Sequence, residues 1–271
     1  MSGKTLGPSQ TKNGIRNKSL QRMRGKMRLK EDSSRAAIRI AATAVFPALV
    51  CVVTLVFIVG IPATNGYFNI GETMIYIAAL SFGPYVGAFA GGVGAAIADL
   101  IAAPIFAPGT LVIKGCEGAI VGFLNKRMFK QAPNWRIWSI LLGVIVGVLL
   151  ASVGSVYLRN ADIYLGIPPP STPTFTISIP AEVWYLFGGI VAFSIALASY
   201  RLEVQSGRAM LSILIGGLEM VLGYFLYELL VLGKTAAVVE IAANIVQILV
   251  GLIVAIPITR IVSRSLPQLK S

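Results

Sequence analysis

The feature that most limits this chain is a series of apolar runs, each approaching twenty residues, with few polar clusters between them. Lipid offers no partners to backbone N–H and C=O groups, so only helices and closed barrels cross a bilayer. Runs of this length suit helices crossing the hydrocarbon layer, whereas a barrel shows shorter alternating segments. The 271 residues are 56% hydrophobic and only 13% charged, with a mean hydropathy of +0.79. That is too little charge to clothe a soluble domain of this size. The expected fold class is an all-α membrane protein.

Eight candidate helices follow: 36–61, 69–83, 84–103, 109–129, 136–159, 183–200, 209–232 and 239–264. The deciding step is Gly83–Pro84, because proline lacks a backbone donor and biases the preceding residue away from helix. A break there puts 1–39, 126–136, 201–208 and 260–271 on one side, with eleven, four, two and three of the 23 Lys and Arg. One unbroken helix over 69–103 would instead leave thirteen on that side and nine opposite. Lys and Arg gather in cytoplasmic loops, so the broken topology is expected, with both termini in the cytoplasm. Segment 69–83 is then a short helix of about 22 Å.

The net charge of +12 is concentrated at the start of the chain. Segment 1–35 reads as a basic, disordered cytoplasmic arm that sets topology and attracts anionic lipid, with a nucleic-acid role disfavoured. The first apolar stretch, from about Ala36, is too long for a cleavable signal, so none is expected. Cys51 and Cys116 fall inside spans as small packing residues. There is no histidine, which excludes His-based triads and the usual zinc sites. No catalytic residue, metal or cofactor is expected. Residues 160–182 contain "GIPPPSTPTFTISIP", which cannot be helical and reads as an extended linker or, alternatively, a lid.

Small residues recur at helical spacing on three segments: Ala37, Ala41, Ala44 and Ala48; Gly83, Gly87 and Gly91; Gly143, Gly147 and Ala151. Each stripe lets a second helix approach closely. The last two read as internal packing. The alanine stripe is open to internal packing or to a separate subunit.

With the broken topology, polar residues collect in the outer half of the membrane. Lys114 and Glu117 lie there on one helix, Tyr224, Tyr227 and Glu228 on another, and Glu240, Asn244 and Gln247 on the last. Glu72 and Asp99 sit near the outer ends of their helices, and Asn69 joins the set at the entry to the second helix. Ion pathways need polar stations at every depth, whereas this set describes a cup open outward and sealed below. Lys114 and Glu117 also have a plain alternative, pairing with each other at i, i+3. Asn244 and Gln247 have one as polar glue between helices, and Trp184 and Tyr185 read as interfacial belt residues.

Residues 68–124, "FNIGETMIYIAALSFGPYVGAFAGGVGAAIADLIAAPIFAPGTLVIKGCEGAIVGFL", resemble the central part of the substrate-binding S component of energy-coupling factor (ECF-type) vitamin transporters. "GYFLYELL" at 223–230 and "EIAANIVQILVGLIVAIPI" at 240–258 are similar to the last two helices of that family. The resemblance implies a six-helix core, helices one to four within 36–130 and the last two within 209–264. The hairpin 131–208 would be inserted between them, and 265–271 would be a cytoplasmic tail. It implies capture of a vitamin from outside, riboflavin or a thiamine precursor, and delivery through a transmembrane coupling subunit and two cytoplasmic ATPases. Ala37, Ala41, Ala44 and Ala48 would contact the coupling subunit. Lys114, Glu117, Tyr224, Tyr227, Glu228, Asn244, Gln247 and Asn69 would meet the ligand. No G-x-x-x-x-G-K-[ST] phosphate loop occurs in the chain, as suits a subunit that does not itself hydrolyse ATP. The alternatives are a stand-alone proton-coupled transporter and, ranked last, a lipid-active membrane enzyme.

Overall fold

A computed structural model describes residues 8–61, 64, 66–128, 134–165 and 175–265. Seven of its helices are long and apolar enough to cross a membrane. The first, α1, runs from Pro8 to Val56. A tight hairpin follows, β1 (Val59–Ile61) antiparallel to β2 (Gly66–Phe68). Helix α2 (Glu72–Phe82) ends at Gly83, whose φ of 102° is open to glycine and strained for other residues.

Pro84 then starts α3 (Pro84–Phe89), occupying the first turn where its missing N–H costs nothing. A π turn (Ala90–Gly94) joins α3 to α4 (Ala95–Ala102) as one continuous span. The remaining helices are α5 (Ala107–Phe123), extended by a π turn over Leu124–Met128, then α6 (Trp135–Tyr157), α7 (Ala181–Arg201), α8 (Val204–Val231) and α9 (Lys234–Ser265). Between α6 and α7 lie β3 (Asn160–Leu165) and β4 (Phe175–Ser178).

The break at Gly83–Pro84 therefore falls where the sequence places it. Lys126, Arg208 and Arg260, from three separate segments, line one cavity at a single end of the bundle. Either topology keeps these three together; an unbroken helix over 69–103 would have put them opposite the basic start of the chain. Helix α2 has only 11 residues, about 16 Å at 1.5 Å per residue. It is half a span, wedged beside α1, α3, α5 and α9 and buried over most of its length.

Two expectations need correction. Segment 1–35, expected to be disordered, is helical from Pro8 onward, and 1–7 lie outside the described residues. Its Lys, Arg, Gln, Met and Leu are good helix formers, so it prolongs α1 as a solvated arm with exposed Met23, Met27 and Leu29. Residues 160–182 are not a plain linker. Antiparallel strands form one sheet in the order β2-β1-β3-β4, with Val59 opposite Leu165 and Asn160 opposite Ser178. The β-branched and aromatic residues around the prolines favour extended pairing once a strand edge is offered by the loop after α1. The Pro-rich tip, 166–174, lies outside the described residues, as does most of the tail, 266–271.

Close packing follows the glycines. A Cβ on Gly118 would stand 2.2 Å from the Gly87 carbonyl oxygen, and one on Gly91 would stand 2.4 Å from that of Lys114. Helices α3 and α5 thus meet backbone to backbone. Gly147 and Gly188 join α6 to α7 in the same way. Both glycine stripes serve internal packing, as expected. The alanine stripe does not: Ala37, Ala41, Ala44 and Ala48 are all exposed, while Ala42, Pro47 and Val50 on the other side of α1 are buried.

Candidate functional site

Four helices bring polar side chains to the sheet end, each by a helical repeat. Helix α5 presents Thr110, Lys114 and Glu117 at i, i+4, i+7, and α9 presents Glu240, Asn244 and Gln247 at the same spacing. Helix α8 adds Tyr224 and Glu228, and α2 adds Glu72 and Tyr76, each pair at i, i+4. Such spacing puts each set on one face. All ten side chains are buried, or nearly so, inside the bundle.

Six of them border a small cavity of about 40 Å³, well below the size of usual ligand pockets. Lys114, Tyr224, Glu228, Asn244, Gln247 and Asn69 line it. So do Gly66, Tyr67, Asp99, Phe106 and Glu240, which the sequence reading does not assign to the ligand. Asp99 and Glu240 were legible as outer-end acids. Gly66, Tyr67 and Phe106 carry no periodic signal, because they reach the cavity from the β-hairpin and the α4–α5 turn.

The β-hairpin is fastened across the mouth by carboxylates. Tyr67 Oη donates to Asp99 Oδ1, and Thr110 Oγ1 donates to Asp99 Oδ2. With the Thr110 proton engaged, Tyr224 Oη is the donor in its 2.7 Å contact with Thr110 Oγ1. Thr64 Oγ1 donates to Glu240 Oε1, and the Gly66 N–H donates to Thr64 Oγ1 at 3.0 Å. Burial first, then the charge and hydrogen bond of Asp99, raise the Tyr67 phenol above its ordinary range. Asn69 is held by its own turn, Oδ1 accepting the Gly71 N–H at 2.8 Å.

Below the cavity, Lys114 Nζ donates to Glu72 Oε1 and lies 3.5 Å from Glu117 Oε2. It also sits 5.3 Å from the Tyr224 ring centroid, within reach of a cation–π contact. Glu117 accepts from Tyr76 Oη at 2.7 Å. The simple i, i+3 pair is thus part of a larger cluster in which Glu72, 42 residues earlier, is the nearer partner.

Two site expectations are revised. Glu117 does not line the cavity; it is wholly buried beneath Lys114 and orients it. Tyr227 also lies outside. Its hydroxyl donates to the Ile105 carbonyl at 2.6 Å, and its ring covers Gly109, where a Cβ would come within 2.8 Å. Three residues beyond Tyr224 is about 300° of helical turn, which carries Tyr227 off the cavity face while Glu228 stays on it.

One buried oxygen of Glu228, Oε2, has no hydrogen-bond partner. Together with Asn244, Gln247 and Asn69 in the same cavity, it offers acceptors and donors for the edge of a polar ring. Among the described residues no cluster of His, Cys, Asp and Glu fit for a metal ion occurs.

An end-on polar cup beneath a small sheet, set in a bundle of apolar spans, defines a polytopic membrane protein built to take in a ligand at one end. The chain belongs to the ECF-type riboflavin transporter S component family, whose sequence model matches residues 35–187 and 182–264. The matched residues take in the α6–α7 hairpin. A Pyrococcus woesei protein described as an "Uncharacterized protein in gap 3'region" is 47% identical over 107 residues, 40% of this chain and 68% of that protein. The family is one of vitamin-transporter subunits rather than enzymes.

Proposed function

We propose that this chain captures riboflavin, or a related heterocycle of the thiamine-precursor kind, at the sheet end. It would then pass the ligand on through an ATP-driven coupling module. The sheet end faces outward in this reading. The Lys- and Arg-rich end and both termini face the cytoplasm, and the membrane is the plasma membrane of a prokaryote.

The observation that carries the reading is the polar lining beneath the β-hairpin, which must lift to admit a ligand: Glu228 with an unpartnered buried oxygen, beside Asn69, Asn244 and Gln247, above a fixed Lys114. A heterocycle whose edge alternates donors and acceptors satisfies these groups, while a ligand lacking them leaves buried polar atoms unpaired. Tyr224, already oriented through Thr110, supplies an aromatic face. The hairpin held by Tyr67–Asp99 and Thr64–Glu240 closes over the bound molecule. Glu117 acts through Lys114 as a positioning residue.

Capture does no transport work by itself, because a ligand shifts an equilibrium only by its differential affinity. The exposed alanine stripe of α1 is the surface for the coupling subunit, since small side chains let a partner helix approach closely. A proton-coupled transporter is disfavoured by the apolar core, rich in Leu, Ile and Met of α8 and α9, that lies below Lys114. The test is titration of the purified chain with riboflavin, read by quenching of the vitamin's fluorescence. Saturable binding that falls in Glu228→Ala and Asn244→Ala supports the reading. Uptake into liposomes by this chain alone under a proton gradient counts against it.

A further inference from the structure

At the end opposite the cup a second cavity, of about 430 Å³, opens between α2, the π turn after α5, and the facing ends of α8 and α9. Lys126, Arg208 and Arg260 converge on it, and its lining residues include no Asp or Glu. Arg260 is fixed in place, its Nε donating to Ser206 Oγ at 2.6 Å, which uses one of five guanidinium donors. Lys126 reaches across Gly83, where a Cβ would meet its Nζ at 3.1 Å. The glycine that breaks α2 from α3 therefore also clears the way for this ammonium group.

Two further features are independent of the charges. Ser81 and Thr259 line the cavity, and their hydroxyl oxygens are buried without a partner; Ser81 is only 9% exposed. Buried hydroxyls left without partners are costly, so a site that engages both gains by filling. Helix α8 also begins here, and its N-cap, Glu203, makes no side-chain capping bond. The first-turn N–H groups thus lack helical acceptors beside the cavity, a position that favours an anion.

We propose that this cavity binds a phosphoryl group, carried by an anionic lipid of the adjoining leaflet or by a soluble phosphate ester. Cations, free hydroxyl donors and a helix N-terminus together match the oxygens of a phosphate. Leu80, Ile256 and Val262 in the same lining provide apolar surface for the chains beside a lipid headgroup. Basic cavities between spans on the cytoplasmic side are the usual place for such contacts. A bound lipid would tie the ends of α2, α5, α8 and α9 together where none of them is joined by the sheet.

The experiment is native mass spectrometry of the full chain, released from neutral detergent doped with phosphatidylglycerol or phosphatidylcholine. A parallel arm follows thermal stability with inorganic phosphate. One phosphatidylglycerol per chain should be retained, preferred over phosphatidylcholine by about tenfold or more, and Arg208→Gln/Arg260→Gln should erase that preference. Ser81→Ala/Thr259→Val keeps every charge and should weaken retention by about threefold. Lys234→Gln, exposed at the sheet end of α9, should change nothing. If inorganic phosphate stabilises the chain and displaces the lipid, with the same dependence on the variants, the phosphoryl site stands and its source is soluble. If the arginine variant loses helical content by circular dichroism, the Ser81/Thr259 pair decides. Equal retention of both lipids, or a preference untouched by the folded variants, overturns the proposal.

Discussion

Replacing Lys114 with Met removes the cation that Glu72 and Glu117 share, with Lys114 only 4% exposed and the two acids at 1% and 0%. At 3.5 Å from Glu117, and with an effective dielectric of about 20, the attraction amounts to about 5 kcal/mol before desolvation is counted. Removing one partner of a buried pair costs about 3–5 kcal/mol, because the remaining charge keeps its desolvation and loses its compensation. Methionine preserves the apolar stem, so the loss is electrostatic rather than a cavity effect. At about 2–4 °C per kcal/mol for a chain of this size, Tm should fall by roughly 6–20 °C. Glu72→Gln leaves the Lys114–Glu117 pair and should cost less, about 1–2 kcal/mol. The assay is thermal unfolding of the purified chain in one detergent, followed by circular dichroism. The decisive comparison places Lys114→Met in a Glu72→Gln/Glu117→Gln background, where no carboxylate of the cluster remains. Its cost there should nearly vanish. An equal fall in Tm in both backgrounds would refute the cluster as the reason Lys114 is retained.

Other outcomes follow from the same geometry. Gly118→Ala puts a methyl 2.2 Å from the Gly87 carbonyl oxygen and should destabilise by about 1–3 kcal/mol or more. Gly189→Ala, with nothing within 4 Å, should be neutral or stabilise by about 0.5–1 kcal/mol; thermal melts of the two check this. The raised Tyr67 phenol keeps its proton in the folded chain after an unfolded chain begins to lose it. Its contribution is therefore complete below about pH 10 and lost as pH climbs above that value. Tyr67→Phe should flatten the alkaline fall in stability, measured as Tm against pH. Ala41→Leu/Ala44→Leu, on the exposed face of α1, should leave ligand binding intact while abolishing co-purification with the coupling subunit.

The spans were legible because lipid forces apolar length and helical hydrogen bonding on every crossing segment. Their number was not: among the described residues seven helices are long enough to cross, and α2, expected as an eighth, has 11 residues. Gly83–Pro84 marked the break by its own backbone chemistry. The site was legible where a helix repeats its polar residues, as in Lys114 on α5, Glu228 on α8, and Asn244 with Gln247 on α9. It was not legible where non-local contacts decide. Glu72 pairs with Lys114 across 42 residues, and Tyr67 reaches Asp99 only because the β-hairpin folds over the mouth. Tyr227 and Glu117 show the limit of counting polar residues by depth. Both lie at the right level, yet one faces Ile105 and the other lies beneath Lys114. The four-stranded sheet escaped for the same reason, since β1 and β3 pair across about a hundred residues.

The central claim, capture of a heterocyclic vitamin in the sheet-end cup, is tested most directly by riboflavin titration of the purified full chain beside its Glu228→Ala variant. The account predicts saturable binding at one site per chain, weakened at least about tenfold by loss of the Glu228 carboxylate. A chain that binds neither riboflavin nor a thiamine precursor, or binds one equally well without Glu228, Asn244 and Gln247, would contradict it.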